Sequence, residues 1–237
     1  MKPLGLVISC EHAVNTVPVA YQKQFAPYHH LLESHRGIDF GSLSIANHLR
    51  QVFNCDFIQA QATRLLIDCN RSLTHSHCFS EITINLPQAE KQQLIQQYYL
   101  PFRQAAVAKI KEQIAQDRQV LHLSIHSFTP ILNGKERNAD IGFLYDPRRA
   151  SEKMFARDWQ QQLKQYNSQL RTRLNYPYLG INDGFTRALR KQFPDENYAG
   201  IEVESNQALV QDEKTLTQLT DALTTTLKVL LNMKRSY

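Results

Sequence analysis

Three separated stretches of this chain run through apolar residues and finish in groups able to hold or use a metal ion: Leu6 to His12, Leu121 to His126 and Ile201 to Glu204. Strand ends in an α/β sheet are where ligands converge, so residues distant in sequence can meet at one crevice. Two imidazoles and a carboxylate are the usual protein ligands of a catalytic zinc, with one position left open. The pattern points to metal-assisted hydrolysis.

Each segment offers its own candidates. His12 leaves the first apolar run, and neighbouring Glu11 is placed either to ligate or to orient it. In His122-x-Ser124-x-His126 a spacing of two puts all three side chains on one strand face, with His126 at the strand end and His122 deeper, as a core or supporting histidine. The third ligand must be a carboxylate. Asp39, just ahead of an amphipathic helix, competes for that place with Glu11 and Asp68, and spacing does not choose among them. Glu202 and Glu204 share another strand face. Their repulsion raises the affinity of one for a proton, and Glu204, nearer the strand end, is the candidate general base. Arg64 and Arg71 flank Asp68 and Asn70 in a block suited to binding a carboxylate, by two parallel hydrogen bonds per guanidinium. Arg137, in a polar loop with Gly134, is a further cation that can reach over the crevice.

The elements needed to bring these groups together are visible. Strands are expected at Leu4 to Cys10, Asp56 to Gln61, Arg64 to Asp68, Val120 to His126, Ile141 to Tyr145 and Gly200 to Glu204. Helices are expected at Gly41 to Phe53, Leu86 to Asp117, Ser151 to Tyr166 and Asp212 to Met233, with Pro101 ending or kinking the second. This alternation predicts an α/β fold, helices covering both faces of a mixed, largely parallel sheet. The polar loop from Arg71 to Glu81 and the turn-like stretch from Asn175 to Gly184 are placed to border a pocket.

Composition narrows the class. A chain of 237 residues, 42% hydrophobic, can bury one sizeable core. Its charge of +5 comes from scattered residues without basic and aromatic interleaving, which argues against nucleic acid and suits small anionic substrates. No run is long enough to span a bilayer or serve as a signal peptide, so no membrane role and a cytoplasmic location are expected. The cysteines lack CxxC spacing and read as reduced core residues, with Cys10 a minor candidate for the metal.

The chain resembles the N-formylglutamate amidohydrolase family. The resemblance is carried by Ser9-Cys10-Glu11-His12, Arg36-Gly37-Ile38-Asp39, the block from Thr63 to Arg71, Ser124-Ile125-His126-Ser127, Ile141 to Tyr145, and Glu204 ahead of Leu209. It covers most of the length and implies a single domain over residues 1–237, a three-layer α/β/α sandwich of the phosphorylase/hydrolase-like type. That layout is similar to zinc-dependent N-acetylmuramoyl-L-alanine amidases and zinc exopeptidases. The resemblance selects Asp39 over Glu11 and Glu204 over Glu202. It implies one Zn2+ per chain, or another divalent metal, on His12, Asp39 and His126. Glu204 then moves a proton from the attacking water to the leaving nitrogen. Arg64, Asn70, Arg71 and Arg137 bind substrate, while Glu11, Asp68 and Glu202 stand behind them as supporting groups. The expected substrate is a small anionic N-acyl amino acid, the expected state a monomer or homodimer. Two departures concern substrate: Ser205-Asn206-Gln207, where many members carry Arg, Gln or Asp, and the loosely matching segment from Asn182 to Thr186. A murein or peptide amidase with the same centre, and a small-molecule binding protein without catalysis, are the alternatives.

Overall fold

In a computed structural model that describes residues 2–233, alternating apolar and helical segments form a six-stranded sheet between helical layers. The strands of the sheet, in chain order, are β1 (Leu4–Cys10), β2 (Asp56–Gln59), β3 (Gln119–Phe128), β6 (Ile141–Leu144), β7 (Thr172–Leu174) and β8 (Tyr198–Asn206). Between β3 and β6 lies a small hairpin of β4 (Ile131–Leu132) and β5 (Lys135–Glu136). The spatial order is β2-β1-β3-β8-β6-β7; β2, β1, β3 and β8 run parallel, and β6 lies antiparallel to β8. The expected mixed, largely parallel sheet is therefore present.

Two short helices, α1 (Gln22–Phe25) and α2 (His29–Leu32), precede α3 (Ser42–Phe53). The others are α4 (Gln88–Leu94), α5 (Leu100–Ala115), α6 (Ala150–Tyr166), α7 (Phe185–Arg190) and α8 (Glu213–Met233). The apolar stripes of α3, α6 and α8, with Ile45, Trp159 and Leu223 among them, close over Ile8, Leu123, Ile125, Ile201 and Val203 on one sheet face. On the other face α5 and α7 bring Phe102, Ile110 and Phe185 onto Val7, Val120 and Tyr198. A third apolar cluster, including Phe25, Leu66 and Leu94, lies beneath the segments before α3 and between β2 and α5.

One expectation is corrected and one is narrowed. Residues 64–68 form turns instead of a strand: Leu66 N donates to Thr63 O, and the side chains of Ser80 and Thr83 also bond to carbonyls of this stretch, so local bonds replace a ladder. Pro101 does not end the long helix. A π-helical turn at Ile95–Tyr99 precedes it, with Leu100 N bonded to Ile95 O, and the helix resumes as α5. Widening the turn absorbs the missing N–H and the ring of the proline without breaking the helix. The short strand β7 and helix α7 have no clear sequence signal.

Period-two alternation positions the site. On β1, β3 and β8 the residues that face α3, α6 and α8 are apolar through the middle of the sheet, from Leu6, Ile8 and Cys10 to Leu121, Leu123 and Ile125 and to Ala199, Ile201 and Val203. The opposite set begins apolar at Val7, Val120 and Tyr198, then turns polar through Ser9, His122, Ser124, His126, Glu202 and Glu204. Register aligns these residues in rows, with Ser9 beside Ser124, Ser124 beside Glu202, and His126 beside Glu204. Across the antiparallel pair Glu204 faces Gly142, where a side chain would collide with the Tyr176 carbonyl. Gly180 packs against the Tyr145 backbone in the same way, so the loop after β7 lies directly on β6. Gly142→Ala is expected to lower stability by about 1–3 kcal/mol, the usual cost of overpacking a filled interior. Denaturant unfolding of the variant beside wild type measures it.

Candidate active site

Three elements and one loop converge at the carboxyl ends of the parallel strands. β1 delivers Glu11 and His12, β3 delivers Ser124 and His126, β8 delivers Glu202 and Glu204, and the turn before α3 delivers Asp39. The turn is tied to β1 by Asp39 N donating to His12 O, and Asp39 O accepts from Ser42 Oγ at 2.7 Å. All of these side chains are buried.

A count of donors fixes the role of Nε2 in His122 and His126. Ser9 Oγ donates to Glu11 Oε1 at 2.6 Å and Ser124 Oγ donates to Glu11 Oε2 at 2.7 Å, which uses the one proton of each hydroxyl. Each hydroxyl must then accept from its histidine. Nε2–H of His122 donates to Ser9 at 2.8 Å, and Nε2–H of His126 donates to Ser124 at 2.9 Å, with Glu11 Oε2 also 3.2 Å away. Tyr198 OH in turn donates to His122 Nδ1 at 2.8 Å. On the other side His12 Nε2 meets Asp68 Oδ1 at 2.8 Å. His12 and His126 therefore both direct Nδ1 at Asp39 Oδ2, over 3.2 and 2.9 Å. Among the described residues His12, Asp39 and His126 form the one such group that could hold a metal ion, with ligand atoms within 4.8 Å of one another.

The electrostatics are dominated by burial. Burial opposes ionisation of Asp39, but the charge and hydrogen bond of His12, the bond from His126 and the charge of Arg64 outweigh it and hold the carboxyl well below the usual range. Glu11 is likewise pulled down to about 2 against its burial, by His126, His122 and Ser9. Asp68 is depressed by His12 and Arg64. Burial also opposes the charged form of His126, yet bonds to Asp39 and Glu11 raise its pKa well above the ordinary value. Glu204 behaves oppositely. Burial, with the charges of Asp39 and Glu202, pushes it up to about 7 despite His126 and His12, and its Oε2 is buried without a hydrogen-bond partner. The Oε1 of Glu202 accepts from Thr186 Oγ1 at 2.5 Å.

Two adjoining cavities share Asp39 and Arg64 in their walls. The inner, about 100 Å³, holds His12, Asp39, His126, Glu202 and Glu204; the outer, about 280 Å³, is rimmed by His35, Arg36, Arg71, His77 and Arg137. Both loops expected to border a pocket do so, through Arg71 and His77 in one, Tyr178 and Asn182 in the other.

The remaining sequence candidates are placed as follows. Arg64 donates to Asp39 Oδ1 at 3.3 Å and to Asp68 Oδ2 at 3.1 Å. Asn70 is turned inward, its Oδ1 accepting from Phe185 N at 2.7 Å at the start of α7. Arg71 donates to the Asp183 carbonyl at 2.5 Å and lines both cavities. Arg137 donates to Tyr178 OH at 3.0 Å and lies over the rings of Phe128 and Tyr178. Cys10 faces away into the core, its thiol pushed up to about 12 by burial, and bonds Ser42. Tyr178, which walls both cavities, went unnoticed in the sequence because loop residues carry no period.

The layout is that of an α/β fold in which buried polar groups gather at the ends of central strands. The family model of N-formylglutamate amidohydrolase matches residues 4–211, and the chain belongs to that family, a family of amidohydrolases. A solved gene product of Agrobacterium tumefaciens is 26% identical, with a TM-score of 0.83 over 99% of this chain and 92% of that one. The N-formylglutamate amidohydrolase of Ralstonia eutropha JMP134 shares the fold at 17% identity and a TM-score of 0.73, covering 100% of this chain and 96% of its own. No curated protein matches the chain in sequence. Among the described residues no helix is long and apolar enough to cross a membrane.

His122 carries a pH prediction. Burial, aided by Arg190 and His126 and opposed by Glu11, pushes it from 6.5 down to about 4. Above pH 6.5 both folded and unfolded forms are neutral. Below it the unfolded chain takes up a proton that the native one refuses, so stability falls until the pH passes about 4, a loss of about 3 kcal/mol. In His122→Gln this part of the acid destabilisation should vanish. Urea unfolding of both proteins from pH 7 to pH 4 measures the difference.

Proposed function

We propose that the protein hydrolyses the amide bond of a small N-acyl amino acid, N-formyl or similar, with a divalent metal held by His12, Asp39 and His126. The observation that carries this reading is the contrast between the carboxylates: four are hydrogen-bonded, while Glu204 Oε2 is buried, unpartnered and attached to a carboxyl whose pKa is pushed up to about 7. A carboxyl with that affinity for a proton, beside the metal-binding group, suits a base that gives its proton back.

The donor set fits a metal. Both imidazoles turn Nε2 to partners behind them and Nδ1 to one carboxylate oxygen, the arrangement that orients metal-ligating histidines from behind. Five buried carboxylates, Glu11, Asp39, Asp68, Glu202 and Glu204, surround the point, an excess of negative charge that a cation relieves. Zinc or another divalent ion there would polarise the amide carbonyl and make an attacking water more acidic.

The protein's own groups supply the rest. Glu204 in its basic form takes the proton of the attacking water and delivers it to the amine as the C–N bond breaks. Glu11 and Asp68 hold the rings of His126 and His12 in one orientation. Arg71, at the junction of the cavities, and Arg137, held flat by Phe128 and Tyr178, are placed to bind the substrate carboxylate in the outer cavity. The inner cavity, small and acidic, suits a short uncharged acyl group. The location proposed is the cytoplasm.

Metal analysis and turnover of N-formyl and N-acetyl amino acids test this together. Wild type should contain about one zinc per chain, and His126→Ala should lose metal and activity at once. Glu204→Gln should keep the metal while kcat falls by roughly 10²–10⁴. Normal turnover by that variant would remove Glu204 from the mechanism. Hydrolysis of muropeptides with none of acyl amino acids would assign the substrate to the cell wall instead.

A further inference from the structure

Arg64 stands between the two cavities, where a guanidinium would ordinarily be assigned to the substrate. Its bonds point elsewhere. Nη1 donates to Asp39 Oδ1 and Nη2 to Asp68 Oδ2, while His12 reaches the other oxygen of each carboxylate, Asp39 Oδ2 through Nδ1 and Asp68 Oδ1 through Nε2. His12, Asp39, Arg64 and Asp68 thus close a ring of four side chains in which Arg64 holds one oxygen of each carboxylate and His12 the other, while Asp39 Oδ2 is also reached by His126 Nδ1 and Ser127 N and Asp68 Oδ1 by Asn70 N. The side chain of Arg64 is 23% exposed, against 5% and 4% for the two carboxylates.

We propose that Arg64 is a positioning residue for the metal-binding group, and that it does not bind the substrate carboxylate. This rests on the metal reading above. The backbone supports it: Thr63 Oγ1 donates to Gly37 O, joining the turn that carries Arg64 to the turn that carries Asp39, and Thr63 N donates to Thr16 O in the loop that follows His12. Ser80 Oγ bonds the Leu65 carbonyl on the other side. A planar fork with a fixed angle between its donors can hold two carboxylates apart at a set distance, which a single ammonium cannot. By occupying Asp39 Oδ1, the fork leaves Oδ2 as the oxygen that faces both Nδ1 atoms. By occupying Asp68 Oδ2, it leaves Oδ1 for His12. Arg64 therefore determines the orientation of one ligand directly and of a second through Asp68.

Arg64→Lys separates this role from substrate binding, because it keeps the charge and loses the fork. The measurements are zinc affinity by chelator competition, the visible absorption of the cobalt-substituted protein, and KM with kcat for an N-formyl amino acid at saturating zinc. We expect zinc affinity to fall at least about tenfold and the cobalt spectrum to change, as when an outer partner of a metal ligand is lost. With the metal site saturated, KM should stay within about threefold of wild type, since uniform substrate binding is untouched. Unchanged zinc affinity and cobalt spectrum with KM raised tenfold or more would overturn the proposal and return Arg64 to the substrate, by the same kinetic logic. Thermal unfolding checks that the variant is folded. Arg64→Gln is the second variant, and its cobalt spectrum should change also, whichever way the lost charge moves affinity. A wild-type protein that takes up no zinc or cobalt would bring down the metal reading and this inference with it. A wild type that binds metal beside an unaltered Arg64→Lys would defeat the inference alone.

Discussion

A carboxylate removed from water must be given hydrogen-bond donors, and in this protein that demand falls first on Glu11. It is 1% exposed, and its two oxygens take the protons of Ser9 and Ser124. Everything nearby follows from those two bonds. Once the hydroxyl protons are committed, both serines can only accept, so His122 and His126 must offer Nε2–H, and Nδ1 of His126 is left to face Asp39. One buried charge thereby decides which nitrogen of a histidine on a neighbouring strand faces Asp39. The polar rows across β1, β3 and β8 persist in an otherwise apolar sheet because each member completes the bonding of the next.

Much of this was legible in the sequence. The strands β1, β3, β6 and β8 and the helices α3, α6 and α8 appear nearly where the apolar periodicity places them, since burial on one or both faces leaves a regular imprint. The spacing of two in His122-x-Ser124-x-His126 held the essential fact that these side chains share a face. The segment from Arg64 to Asp68 misled because Leu65, Leu66 and Ile67 look like a buried strand. They are buried, but in the third apolar cluster, reached by turns whose bonds come from Ser80 and Thr83 many residues later. Local composition records burial and not the partner that supplies the hydrogen bonds.

The arginines show the same limit at the site. Arg64, Arg71 and Arg137 are equivalent by type, and all three line the outer cavity, yet their neighbours differ: two carboxylates for the first, a backbone carbonyl for the second, aromatic rings for the third. Those differences arise from loops that meet in space, so no reading of spacing could assign them. Tyr178 is invisible for the same reason. Glu204 was easier, because its character comes from strand position: it stands beside His126 on one side and side-chain-free Gly142 on the other, where no neighbouring side chain bonds its Oε2.

The π turn at Ile95–Tyr99 has a meaning beyond accommodating Pro101. A turn of this kind holds one residue more than its α-helical counterpart, so the helix on its far side is rotated by about 100° relative to an uninterrupted one. Leu94 before the turn enters the cluster beneath residues 62–100, whereas Phe102, Ala106 and Ile110 after it enter the layer against the sheet. The inserted residue works as a change of reading frame within a single rod, allowing it to serve two cores that lie in different directions. Closing that turn by one residue would leave both helical segments intact and aim one of them at solvent.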